Sequence, residues 1–145
     1  MELRRFLDAQ NQVYLRALDE IRKGKKMSHW MWYVFPQLLG LGNSETSKEY
    51  GILDLAEADS YLAHPVLGKN LIEISEALLK LNGRTAEEIF GYPDNLKLRS
   101  CMTLFAKVDN AHPVFSEVLK KYFNGIPDER TMKMLENERK KHDSI

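Results

Sequence analysis

The sequence predicts an all-α fold: a single compact multihelical domain of about eight helices, several of them short, around a central aromatic helix. Three observations predict it. Apolar residues recur at 3–4 spacing through most of the chain, the period of one helix face. No stretch alternates apolar and polar residues for long, and no Asn-Gly or Asp-Gly pair joins two alternating runs. Capping residues precede, and Gly or Pro follows, nearly every periodic segment. The connections are too short and varied for an up-down bundle.

The first helix runs from Leu3 to Lys23, with Phe6, Val13, Tyr14, Ala17, Leu18 and Ile21 among its inward positions. Gly24 stands where a left-handed C-terminal cap belongs. Gln10 interrupts the apolar stripe. It reads either as a rim position or as an amide that reaches into a polar pocket. Ser28 suits an N-cap for a short helix from His29 to about Val34, which Pro36 ends. The segment from Leu38 to Ser47 reads as a tight loop entering a helical turn, with Ser44 as cap. Asp54 caps a helix over Leu55 to Ala63, with Glu57 placed for a capping box. Pro65 opens a helix with Leu67, Leu71, Ile74, Leu78 and Leu81 inward, and Gly83 stops it. Thr85-Ala86-Glu87-Glu88 is another capping box, for a short helix to Phe90. Asp94 reads as the cap of a helix from Asn95 to Val108, apolar on several faces and therefore central. Pro113 starts the next helix, and Asp128 caps the last, which turns Met132 and Leu135 inward. The charged tail, residues 136–145, reads as solvated or frayed.

A chain of 145 residues holds one domain with a real core and is too short for two ordinary ones. Lys+Arg and Asp+Glu both total 21, so the net charge argues against a nucleic-acid or anionic-membrane binder. The single cysteine, Cys101, excludes an internal disulfide, suits a reducing compartment, and sits among apolar neighbours as a buried thiol would. Charges break the opening Met-Glu-Leu-Arg-Arg-Phe, which is not a signal peptide, and no apolar run reaches the roughly 20 residues of a membrane span. A cytoplasmic location is expected.

The chain is organised around Ser28 to Gln37. Both tryptophans lie there, and the six residues Trp30 to Phe35 are all large and apolar or aromatic. A segment apolar all round is buried all round, or faces a ligand or partner. Phe6-Leu7-Asp8-Ala9-Gln10 with Tyr14, the Ser28–Gln37 stretch, Gly40-Leu41-Gly42, Tyr50, Tyr61-Leu62-Ala63-His64-Pro65-Val66-Leu67-Gly68, Ile89-Phe90-Gly91, and Lys97-Leu98 with Met102-Thr103-Leu104-Phe105 together resemble the DUF1810 family, some of whose bacterial members are labelled calpastatin-like. The resemblance runs from about residue 3 to residue 135. It implies an all-helical fold and no particular activity.

Three constellations bear on chemistry. Lys23, Lys25 and Lys26 precede Ser28 and His29 at a predicted helix start, where free N–H groups and lysines favour an anion; a solvated charge run beside a capped helix is the plainer reading. Gly40-Leu41-Gly42-Asn43-Ser44, with Thr46 and Ser47, is compatible with a phosphate or with an ordinary turn; it is neither a dinucleotide fingerprint nor a P-loop. His29, His64, His112 and His142 show no metal-ligand spacing, so no metal or other cofactor is expected, and His64 and His112, each before a proline, read as helix caps. His29 alone lies in the unusual stretch, as a structural histidine or as a catalytic one.

These features converge on a site for a small anionic ligand, phosphorylated or resembling a nucleotide or ADP-ribose, lined by Gln10, Lys26, Ser28, His29, Trp32, Gln37, Gly42, Ser44, Ser47 and Lys97, with His29 as the catalytic candidate. The alternative is a non-enzymatic protein-interaction module that exposes Trp30 and Trp32 as an aromatic patch.

Overall fold

A computed structural model describes residues 3–143, with His142 and Asp143 described by their backbone alone. Nine helices are found among the described residues: α1 (Arg4–Arg22), α2 (Met31–Val34), α3 (Glu45–Tyr50), α4 (Leu55–Ala63), α5 (Leu67–Lys80), α6 (Ala86–Phe90), α7 (Asp94–Ala106), α8 (Val114–Phe123) and α9 (Glu129–Asp143). The fold is all-α. Its only bridge among these residues joins Leu38 to Ile52 in parallel, with Leu39 N–H on the Ile52 carbonyl at 2.8 Å and Ile52 N–H on the Gln37 carbonyl at 2.8 Å.

Helix α1 buries the stripe Phe6, Gln10, Tyr14, Ala17, Leu18 and Ile21, the 3–4 pattern of its sequence. That stripe packs on α5, which packs in turn on α8. Helix α7 is the centre: Leu98 and the unbroken run Ser100–Phe105 are buried, and α4, α6, α8 and α9 all lie against it. The short α2 packs on α1 and α3. One hydrophobic cluster joins these layers, with Trp30, Phe35 and Phe90 in mutual ring contact at its edge.

The buried amide of Gln10 is fully used. Its nitrogen donates to the Tyr33 carbonyl (2.8 Å) and Tyr61 Oη (2.9 Å), and its oxygen accepts from Asn70 Nδ2 (3.0 Å). It ties α1, α2, α4 and α5 together.

Most caps fall where the sequence puts them. Ser44 Oγ accepts from Ser47 N–H, Asp54 from Glu57 N–H, and Asp128 from Thr131 N–H, while Thr85 and Glu88 form a full capping box. His64 and His112 use Nδ1 to accept from backbone N–H groups just beyond the following proline. Gly24 takes its left-handed turn at φ +83°.

Four expectations need correction. Ser28 is not an N-cap: the helix begins only at Met31, and Trp30 holds the cap position without a side-chain bond. Glu57 does not close a box on Asp54; its Oε1 accepts from Leu53 N–H (2.7 Å) and pairs with Arg5 (3.2 Å). Asp94 begins α7 rather than capping it, because its carboxylate is drawn to two lysines. The tail from Glu136 on is exposed for the most part, but it continues α9 to Asp143, with Glu136 paired to Arg139 and the Glu138 carboxylate 3.4 Å from Leu55 N–H; residues 144 and 145 lie outside the described chain.

Candidate functional site

The segment between α1 and α2 is shaped by a carboxylate near the end of α1. Glu20 accepts four hydrogen bonds: Met27 N–H (2.8 Å), Ser28 N–H (3.1 Å), Ser28 Oγ–H (2.7 Å) and the Trp30 indole N–H (2.8 Å). Burial pushes the Glu20 pKa up, but the bonds from Ser28, Met27 and Trp30 outweigh it and leave the group below the ordinary glutamate value. The donors that the sequence offers to an outside anion are thus filled by the protein's own carboxylate. This is why Ser28 caps no helix.

Fixing Met27–Trp30 this way sends neighbouring side chains in opposite directions. Trp30 goes into the core, 1% exposed, while His29 is exposed and makes no hydrogen bond to any described residue. Lys26 lies along the Trp30 ring at 5.0 Å from its centroid. Its amine, on a side chain only 8% exposed, meets Asp94 Oδ2 at 3.0 Å. Lys97, one helical turn on from Asp94, meets the other carboxylate oxygen at 3.1 Å. Asp94 therefore sits between two cations, leaving one net positive charge.

These groups open onto a cleft of about 240 Å³. Its lining comes from three parts of the chain: Lys26, His29 and the Trp30–Tyr33 run, then Ser44 and Thr46, then Asp94 and Lys97. Of the residues chosen from the sequence, the cleft brings together Lys26, His29, Trp32, Ser44 and Lys97.

The others stand elsewhere. Gln10 belongs to the core network and Ser28 to Glu20. Gln37 is 2% exposed; its side-chain nitrogen has no hydrogen-bond partner among the described residues, and its backbone carbonyl serves the parallel bridge. Ser47 is buried and donates to the Ser44 carbonyl at 2.8 Å. Gly42 works from behind the cleft wall: a Cβ there would lie 2.9 Å from Ser47 Cβ and 3.2 Å from Trp32 Cζ2.

The residue that sequence reasoning missed is Asp94, read there as a cap. Its i, i+3 spacing to Lys97 was the available signal for an ion pair. The partnership with Lys26 depends on tertiary packing, through Lys26 N–H on the Ile89 carbonyl at 2.7 Å.

A larger groove of about 520 Å³ runs along α9 beside Leu55, Met132 and Leu135. There Arg139 is spent on Glu136, and Glu138 approaches a helix N–H. The smaller cleft gathers more convergent polar groups, which is the better mark of a site. No group of three or more His, Cys, Asp or Glu placed to hold a metal occurs among the described residues. Cys101 is buried and its thiol is pushed well up by burial, so it is unreactive. The exposed aromatic patch of the interaction-module reading is not there, since Trp30 is 1% and Trp32 7% exposed. No helix among the described residues is long and apolar enough to cross a membrane.

The fold and cleft define an all-helical protein with a small, charged, aromatic-walled hollow. The chain belongs to the family described as "Protein of unknown function (DUF1810)", which matches residues 1–135. It is similar to the conserved hypothetical protein Rv1873 from Mycobacterium tuberculosis, known from a crystal structure at 1.38 Å: the two are 49% identical, the match covers 92% of this chain and 95% of that one, and the TM-score is 0.90. No curated protein matches this chain.

Proposed function

We propose that the cleft binds a small phosphorylated metabolite, with His29 as the candidate catalytic residue. The observation that carries this reading is the convergence of Lys26, Lys97 and His29 on one hollow walled by aromatic rings. Lys97 is a third exposed, and among the described residues its amine meets only Asp94, so N–H donors remain for an anion. A volume of about 240 Å³ lies below the roughly 300–1,000 Å³ of ordinary drug-sized pockets. It suits a ligand the size of one sugar phosphate or one mononucleotide moiety rather than a whole dinucleotide or ADP-ribose. His29 is exposed and makes no hydrogen bond to any described residue, so its ring can donate to a ligand oxygen or take a proton from one.

The test is a thermal-shift screen of sugar phosphates and mononucleotides, followed by His29→Ala. A ligand at about 100 times its dissociation constant adds roughly 2.7 kcal/mol to stability. His29→Ala is expected to weaken binding while shifting stability by no more than about 0.5 kcal/mol, as for other exposed positions. If no phosphorylated compound raises the melting temperature, the reading fails. If His29→Ala leaves affinity unchanged, His29 has no part in the site.

A further inference from the structure

We infer that Asp94 reads the hydroxyl groups of the ligand, so that the cleft selects a phosphorylated sugar over an anion without hydroxyls. This rests on the proposed ligand cleft and assigns the ligand class within it. A site built for an anion alone has no use for a carboxylate, which repels it. Yet Asp94 lies in the lining, one-fifth exposed, between the two lysines that would hold the anion.

Tethering lysines does not exhaust the group. A carboxylate offers about four acceptor positions. Asp94 spends one on Lys26 through Oδ2 and one on Lys97 through Oδ1. The remaining lone pairs can be reached from the cleft by donors and by nothing else, because an ionised carboxylate only accepts. The two ion pairs fix the carboxylate's orientation, so a hydroxyl donor meets a prepared acceptor. Ser44 and Thr46, also in the lining, provide hydroxyls that both donate and accept. A molecule matching this lining carries a negative charge for Lys97 and His29 and, beside it, hydroxyl donors for Asp94. A pentose phosphate has that combination; inorganic phosphate and simple alkyl phosphates lack alcohol hydroxyls held beside the phosphate.

The experiment measures dissociation constants by calorimetry for ribose 5-phosphate, methyl phosphate and inorganic phosphate. On the unaltered protein, ribose 5-phosphate is expected to bind at least about tenfold more tightly than methyl phosphate, the ordinary worth of one hydrogen bond to a charged acceptor. In Asp94→Asn the cleft gains one positive charge and loses the anionic acceptor. Inorganic phosphate should then bind as well or better, while the preference for ribose 5-phosphate over methyl phosphate falls by about the same tenfold. Asn at this position leaves Lys26 without its counter-charge, so Asp94→Asn/Lys26→Met, which removes both charges, serves as the second variant. It too should lose the sugar preference. Equal binding of ribose 5-phosphate and methyl phosphate by the unaltered protein overturns the role of Asp94 and leaves the anion cleft standing. A preference that persists in both variants overturns it as well. Absence of binding by all three compounds overturns the cleft itself.

Discussion

Glu20 illustrates how one side chain decides what its neighbours do. Its carboxylate gathers Met27, Ser28 and Trp30, and so turns His29 outward and Trp30 inward. The isosteric Glu20→Gln variant would place an NH₂ group against a donor and leave a buried partner unmade. A loss of about 2 kcal/mol is expected in denaturant unfolding at pH 7, within the range for hydrogen bonds to a charged group. The pH dependence has a definite sign. The folded pKa lies below the ordinary value of 4.5, so the unfolded chain binds more protons in the window below that value. The stabilisation is present in full above it and is lost as pH falls toward the folded pKa. The gap between wild type and Glu20→Gln should therefore narrow below pH 4.5. A gap that stays constant into acid would mean that the carboxylate's charge does not matter. Glu20 was hard to see in the sequence, where it follows Asp19 in an ordinary helical pattern. The clue was a carboxylate in the last turn of a helix, where the dipole disfavours it. Ser28 was misread for the matching reason: a serine before an apolar run signals a cap unless a distant acceptor claims it, and spacing does not reveal that acceptor.

At the level of the helices, the contact between α4 and α5 is set by Gly68. A Cβ at this position would lie 2.0 Å from the Leu62 carbonyl oxygen and 2.8 Å from its carbon. The obstacle is backbone, which cannot rotate away as a side chain can. Gly68→Ala should thus cost about 3 kcal/mol or more, at or beyond the usual limit for overpacking. Gly83→Ala is the control: nothing lies within 4 Å of a Cβ there, and only its φ of +72° is unfavourable, costing about 1–2 kcal/mol. Comparable melting temperatures for the two variants would show that α5 can slide away from Leu62. The helices themselves were largely legible, because 3–4 spacing and caps such as Ser44, Thr85 and Asp128 act within a few residues. Gly68 stood at the end of a recognisable motif, but its reason is a crossing between helices, which local spacing does not encode. The same limit explains Asp94, whose capping chemistry yields to a lysine brought in from the α1–α2 connection.

For the whole molecule, the open question is how far the chain must extend to hold its layers together. The match to the family ends at residue 135, within α9. Up to that point α9 contributes the buried Thr131, the Asp128 cap and the partly buried Met134 and Leu135 packed on the core. Beyond it the contacts include a surface pair between Glu136 and Arg139, and the Glu138 carboxylate at 3.4 Å from Leu55 N–H, too long for a strong bond. Surface ion pairs contribute at most about 1 kcal/mol. The sequence reading of the tail as solvated missed its helicity, yet the exposed positions carry little of the energy. A chain ending at Leu135 should therefore fold cooperatively and melt roughly 2–4 °C below the full-length protein. It should also keep the cleft proposed to bind a ligand, which no α9 residue lines. The checks are calorimetric melting and, once a ligand is found, its affinity for the truncated chain. Loss of a cooperative transition would show that the last two turns of α9 hold α4 and α7 in place; an altered affinity with an intact melt would show that the α9 groove and the cleft are coupled.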